Sequence, residues 1–195
     1  MHESRFEGIV IGHENWGDAD RLISFYTPHN GKVEAVARGV RHEKSKLRGH
    51  LELLTHGEFM IAKNHGRGVL IDAMSHKTFS ALRTHTEIAY LGEGVANMYD
   101  TYLYPHAVDV ALWELLFTTL EELAGAREAV HADFHDILER FARRFLKCLG
   151  YLADSCKKSS LQTYDGLLLH TDILGPQFVA MAKGLKHLAA PVPSD

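Results

Sequence analysis

The chain has 195 residues, of which 46% are hydrophobic and 24% are charged, and its formal net charge is −4. This composition is typical of a folded globular protein and argues against a largely disordered chain. The apolar runs are far shorter than the about 20 residues of a membrane helix, the first residues lack signal-peptide features, and two cysteines suit a reducing cytoplasm.

Five short segments of the first half are rich in β-branched and aromatic residues that alternate with polar ones, which is typical of strands. They span residues 6–11, 22–27, 33–40, 58–63 and 69–74. Turn sequences separate them, and the glycine of the turn at residues 28–31 suits the positive φ of a hairpin. Five strands within about 75 residues predict an OB-type barrel, although an SH3-like barrel has a similar pattern.

The apolar periodicity becomes helical after Lys77. Thr84 and Glu87 have the spacing of a capping box, with the threonine at the N-cap, and the helical run that follows ends at Pro105. Further helices are predicted over residues 107–124, 132–149 and about 176–189, with Val108 and Ala111 on the inward face of the first of these. The predicted fold class is therefore α+β, a barrel followed by an all-α domain.

Charge is distributed unevenly along the chain. Residues 32–50 hold six Lys/Arg and two Asp/Glu, whereas residues 76–195 hold eleven Lys/Arg and fifteen Asp/Glu. Alternating cations in an extended loop are suited to successive phosphates, because each extended residue advances by about 3.3 Å. The alternative is a solvated surface loop, but a position beside a barrel of this type favours nucleic-acid binding.

Aromatic residues on or beside the strands are candidates for base stacking: Trp16, Phe25, Tyr26 and Phe59. The alternative for each is core filling. Trp16 stands in a turn beside Gly17, so we expect it to be exposed.

The 14 histidines suggest a metal site, but no complete ligand set is apparent. His131, His135 and Glu139 fall on one helix face, yet positions i to i+8 span about 12 Å and do not converge on one ion. Phosphate-binding glycine loops, nucleophile elbows and zinc-protease motifs are missing from the sequence. We therefore predict no metal, no cofactor and no enzymatic activity, with a metal-dependent enzyme built on the histidines as the alternative.

An ordered set of segments resembles the RecO family of bacterial recombination mediators. These are EGIV at 7–10, GDADRLI at 17–23, TP at 27–28, GK at 31–32, AVARGVR at 35–41 and KSKLR at 44–48. The resemblance implies an OB-fold DNA-binding domain (residues 1–78), a helical domain (79–151), and a degenerate zinc-ribbon region with a C-terminal helix (152–195).

The resemblance also implies a function in DNA repair and recombination. RecO proteins bind single- and double-stranded DNA, anneal complementary strands and assist the loading of RecA, without nucleotide hydrolysis. Their partners are RecR and the acidic C-terminal tail of the single-stranded DNA-binding protein, and they act in the cytoplasm at the nucleoid. A protein-interaction adaptor that keeps the fold without binding DNA is the alternative.

The family's DNA-contacting role carries over to the matching bases, which are Arg21, Lys32, Arg38, Arg41, Lys44, Lys46 and Arg48. An ion pair with Asp18 or Asp20 is the alternative for Arg21. The predicted third helix carries bases beside an apolar stripe, a pattern suited to an acidic, apolar tail, with a solvated helix face as the alternative. These bases are Arg140, Arg143, Arg144 and Lys147.

The sequence departs from the family where many members have two CxxC zinc pairs. Here Cys156 is followed by Ser159, and His170 by Ile173. Two plausible ligands, Cys156 and His170, fall short of the four that a structural zinc takes. We therefore predict that this module is zinc-free.

Overall fold

A computed structural model of the chain describes residues 2–63, 66–84, 86–126 and 134–151. Its elements are the strands β1 (His2–Trp16), β2 (Asp20–Thr27), β3 (Gly31–Ala37), β4 (His56–Lys63) and β5 (Gly68–Lys77), and the helices α1 (Ala81–Thr84), α2 (Thr86–Tyr102), α3 (Val110–Gly125) and α4 (Phe134–Cys148). The chain divides into two compact units, Met1–Glu114 and Leu115–Asp195. The predicted domain bounds at residues 78 and 151 stay a prediction, and the predicted zinc-free module and last helix lie outside the described residues.

The strands of the first unit form one sheet in the order β1-β2-β3-β5-β4. Because β4 pairs back onto β1, the sheet closes into a barrel. All pairings between neighbouring strands are antiparallel except that of β3 with β5, which is parallel. The predicted succession of strands and then helices, and with it the α+β class, is confirmed.

Strand β1 is longer than its predicted core because it serves two neighbours. Residues 2–9 pair with β4, and residues 9–16 pair with β2. The register shifts between Val10 and Gly12, and such a bulge bends a strand from one neighbour towards the next. A Cβ at Gly12 would lie 2.6 Å from the carboxylate of Asp100 in α2, so glycine permits the close approach of helix and strand.

The barrel interior is filled by aromatic and aliphatic side chains. The ring centroids of Phe25 and Phe59 lie 4.5 Å apart, and Phe6 packs edge-on against Phe25 at 5.4 Å. Tyr26 packs instead against Tyr99 of α2, with centroids 5.1 Å apart. Three of the candidates for base stacking are fully buried: Phe25, Tyr26 and Phe59. Core filling is therefore confirmed for them, and they are not accessible to a base.

The helix starts differ from those predicted. Thr84 ends the short helix α1, and α2 begins at Thr86, so Thr84 is not the N-cap of the longer helix. Helix α3 begins at Val110 because the Asp109 carboxylate accepts the N–H groups of the next turn, at 2.8 and 3.2 Å. Val108, predicted to point inwards, therefore precedes the helix and is 52% exposed. The same prediction is wrong for Ala111, which is exposed in the first turn of α3.

Helix α4, in the second unit, has the apolar stripe that its sequence predicts. Ile137, Leu138, Phe141 and Phe145 are buried. In the described part of the chain, no helix has the length and apolar character needed to cross a membrane.

Candidate nucleic-acid interface

The basic segment of the sequence forms the connection that leaves β3, and residues 38–50 are hereafter the basic loop. Its backbone is folded into consecutive turns: His42 N donates to the Gly39 oxygen at 3.1 Å, and Ser45 N to the His42 oxygen at 3.0 Å. Residues 48–50 then form a 3₁₀ turn. The prediction of an extended loop that follows successive phosphates is therefore wrong, since a chain of turns advances much less per residue.

The start of the basic loop is fixed to the turn between β1 and β2. Gly39 N donates to Asp20 Oδ1 at 2.7 Å, and Arg41 N donates to the Ala19 oxygen at 3.0 Å. Between them, Val40 is 1% exposed and belongs to the barrel core. Val40 thus anchors the loop in the core, while the cations Arg38 and Arg41 on either side of it are exposed.

Four cations of the basic loop are available to a ligand. All are exposed, and none has an ion-pair partner in residues 2–63, 66–84, 86–126 or 134–151: Arg38, Lys44, Lys46 and Arg48. The basic loop holds one acid, Glu43, which is also exposed. A local excess of unpaired cations is what phosphate binding requires.

Arg41 joins the basic loop to the preceding turn through its side chain as well. Its Nη1 donates to the backbone oxygens of Asp18, at 2.8 Å, and Gly17, at 3.3 Å. The guanidinium has five N–H donors, so others remain for a phosphate at this exposed position.

Two of the predicted DNA-contacting residues lie on strands. Arg21 is half-buried in β2, and the described residues include no ion pair between it and Asp18 or Asp20. Lys32 is only 8% exposed, with Nζ 2.8 Å from Asp100 Oδ1 and a further bond to the Asp100 backbone oxygen. Lys32 thus fixes β3 to α2, and its burial removes it from the candidate surface.

Trp16 is exposed, as predicted, at 44%. The guanidinium carbon of Arg67 lies 4.9 Å from the centre of its ring, within the range of a cation–π contact. The sequence did not point to Arg67. This residue directly precedes β5, and no pattern around it indicates that it contacts Trp16 at the end of β1.

Among the cations of α4, Arg140 and Arg143 form ion pairs. Arg140 Nη2 lies 2.7 Å from Glu122 Oε2, and Arg143 Nη2 lies 2.7 Å from Glu139 Oε1. Arg144 and Lys147 are exposed. Their predicted role in binding an acidic tail stays a prediction.

The described residues give no support to a metal site built from the histidines. Glu139 is paired with Arg143, whereas His131 lies outside the described residues, as does the side chain of His135. No cluster of three metal-ligating side chains occurs within the described ranges. Cys156 and His170 lie outside them.

Comparison with known proteins matches the barrel region to a family. Residues 1–79 match the model "Recombination protein O N terminal". A DNA repair protein RecO of Roseiflexus sp. is 34% identical over 148 residues, which is 75% of this chain and 50% of that protein. The same protein of Dehalococcoides mccartyi (strain 195) is 28% identical over 128 residues, 66% of this chain and 51% of the relative.

The RecO protein of Desulfitobacterium hafniense is 27% identical over 145 residues, 74% of this chain and 51% of its own length. The chain thus spans about half the length of the curated relatives that it matches. The N-terminal region, residues 1–79, therefore belongs to the RecO family.

Proposed function

We propose that this chain acts in DNA repair as a non-enzymatic recombination mediator that binds single- and double-stranded DNA through the basic loop. The observation that carries the proposal is the set of exposed, unpaired cations Arg38, Lys44, Lys46 and Arg48 on a loop anchored to the barrel. The relatives, named DNA repair protein RecO, support a role in the same process.

The strand order supports an OB-type barrel. In such barrels the loops after the first strand and before the fifth bind oligonucleotides. Here those positions hold Trp16 and Arg67, and Arg41 ties the basic loop to the first of them. Phosphate-binding and base-contacting groups would therefore lie on adjoining loops of one barrel.

The proposed mechanism is electrostatic and needs no covalent step. Two complementary strands repel each other through their phosphates, and cations that displace counterions lower this repulsion. The basic loop carries five Lys/Arg and one acid, and is the strongest local source of positive charge in the first unit. We propose that it holds one strand while a second anneals, and that the resulting complexes assist RecA loading in the cytoplasm.

The proposed partners are RecR and the acidic tail of the single-stranded DNA-binding protein. For the tail, Arg144 and Lys147 of α4 are exposed beside the buried stripe that contains Phe141 and Phe145. Arg140 and Arg143 join this surface only by exchanging their present carboxylate partners for those of the tail.

The test is a titration of a labelled single-stranded oligonucleotide at two salt concentrations. The variant is Lys44/Lys46/Arg48→Glu, and the matched control is Arg5/Lys63/Arg144→Glu, which makes the same change in net charge at exposed positions outside the basic loop. We expect the wild type and the control to bind and to weaken with salt, and the loop variant to fail.

Far-ultraviolet circular dichroism and thermal unfolding establish that both variants are folded. If the loop variant binds the oligonucleotide as tightly as the control variant does, the DNA site lies outside the basic loop. If the wild type binds neither single nor double strands at low salt, the adaptor function replaces this proposal.

A further inference from the structure

We propose that Trp16 and Arg67 form a stacking site for an unpaired nucleobase, which gives the chain a preference for single-stranded DNA. This inference rests on the DNA binding proposed above and adds a base-contacting site to the phosphate contacts. It starts from one contact: the Arg67 guanidinium lies 4.9 Å from the Trp16 ring centre, while Trp16 remains 44% exposed.

The backbone presents Trp16 at the edge of the barrel. Trp16 is the last residue of β1 and pairs with Asp20, so residues 17–19 make the whole turn. Gly17 adopts φ +62°, a conformation that glycine takes without strain, and its carbonyl oxygen accepts from Arg41. The turn that carries the indole is thus tied to the basic loop.

Trp16 contributes little to the barrel core. The core cluster is built from other side chains, among them Phe6, Phe25 and Phe59, and Trp16 is not a member. A large aromatic ring held at the surface by a guanidinium offers a flat apolar face suited to binding. Arg67 lies over one face of the ring and holds its orientation, so the base would stack on the opposite face.

Stacking discriminates between single and double strands. In a duplex each base is already stacked and paired, whereas a base of a single strand is free to leave its neighbours and lie on an aromatic face. The cations of the basic loop contact phosphates, which both substrates have. Trp16 therefore affects the ratio of the two affinities, and the basic loop affects both together.

The first measurement is Trp16 fluorescence during titration with an unlabelled oligothymidylate. The chain has two tryptophans, so a Trp113→Phe variant reports Trp16 alone. Should that variant be unstable, the difference between wild type and Trp16→Phe gives the same signal. We expect saturable quenching with the single strand and little change with a blunt duplex of equal length.

The second measurement compares affinities by anisotropy of labelled DNA. We expect Trp16→Ala to weaken single-strand binding about tenfold and duplex binding less than twofold, with Trp16→Phe intermediate and Arg67→Ala affecting the single strand more than the duplex. A control, Tyr104→Ala, removes an exposed aromatic elsewhere in the first unit and should change neither affinity.

Two results would overturn the inference. One is DNA binding that leaves the Trp16 emission unchanged. The other is a Trp16→Ala variant that loses single-strand and duplex affinity equally. Either result would mean that the contact between Trp16 and Arg67 only stabilises the fold. In those cases the proposed DNA binding stands. Absence of binding to either DNA by the wild type would remove both proposals.

Discussion

The basic loop and α4 carry similar numbers of cations but differ in how many are available. On α4, Arg143 has an acid one turn before it, and Arg140 reaches Glu122. On the basic loop, the described residues offer Arg38, Lys44, Lys46 and Arg48 no carboxylate within ion-pair distance.

This difference shows that a count of bases does not measure a phosphate-binding surface. A helix brings residues i and i+4 together, so mixed charges on its face pair with each other. A short loop of turns holding a single acid leaves its cations hydrated and able to neutralise phosphates, and the counterions that this releases from the DNA favour binding. We therefore propose that the basic loop binds DNA and that α4 binds an acidic peptide.

The largest expected effect separates these two surfaces by function. Lys44/Lys46/Arg48→Glu should lower single-strand affinity at 0.1 M salt by about 100-fold or more and abolish strand annealing. Arg143/Arg144→Glu should leave annealing unchanged and weaken binding of an acidic tail peptide about tenfold. Annealing is followed by fluorescence of paired dyes, and peptide binding by calorimetry. Loss of both activities in both variants would mean that the two surfaces act as one.

The next effect concerns Lys32, a cation that the sequence groups with the basic loop and the structure does not. Lys32→Met should lower the free energy of unfolding by about 2 kcal/mol, because it leaves the Asp100 carboxylate without its partner. The salt dependence of DNA binding should stay unchanged. Denaturant unfolding measures the change in stability. Lys44→Met is the control, and we expect it to keep the stability of the wild type and to reduce the salt dependence of DNA binding. A Lys32 variant of normal stability and weaker DNA binding would return this residue to the DNA site.

Arg41 should show a smaller effect that depends on geometry. Arg41→Lys keeps the charge but loses the planar donor that contacts the carbonyls of Gly17 and Asp18. We expect the free energy of unfolding to fall by about 0.5 kcal/mol and single-strand affinity to fall about twofold as the turn loosens. An Arg41→Lys variant identical to the wild type in both respects would show that this link does not organise the site.

The smallest effect sharpens the assignment of α4. Glu139→Gln removes the acid from an i, i+4 pair and should cost about 0.3–0.5 kcal/mol, with DNA affinity unchanged. Thermal unfolding and the same DNA titration measure the two effects. If DNA affinity rises, Arg143 was restrained only by its partner, and α4 belongs to the DNA-binding surface.

Local patterns were enough to predict the strands, most of the helices and the barrel core. Alternation identified β2 and β4, and the apolar stripe of α4 was correct at Phe141 and Phe145. The ends of β1 could not be predicted, because they are held by backbone pairing with β4 and β2 and not by an apolar pattern. The start of α3 was predictable in principle from Asp109, an N-cap residue that sequence reasoning passed over.

The candidate site was predicted in composition but not in shape. Charge density located the basic loop, yet its turns depend on hydrogen bonds such as that from Gly39 to Asp20, which a sequence does not display. The burial of Lys32 depends on α2 lying across the barrel, and the contact of Arg67 with Trp16 on barrel closure. Each of these is a long-range juxtaposition.

The most direct measurement is the salt dependence of single-strand binding for the wild type and a Lys44/Lys46/Arg48→Gln variant. Glutamine removes the charges without adding repulsion, so the slope of log affinity against log salt counts the phosphate contacts that are lost. Each contact contributes about 0.7 to the slope for a single strand, so we expect the variant's slope to be shallower by about 2. Equal slopes for the two proteins would show that the basic loop does not contact phosphates.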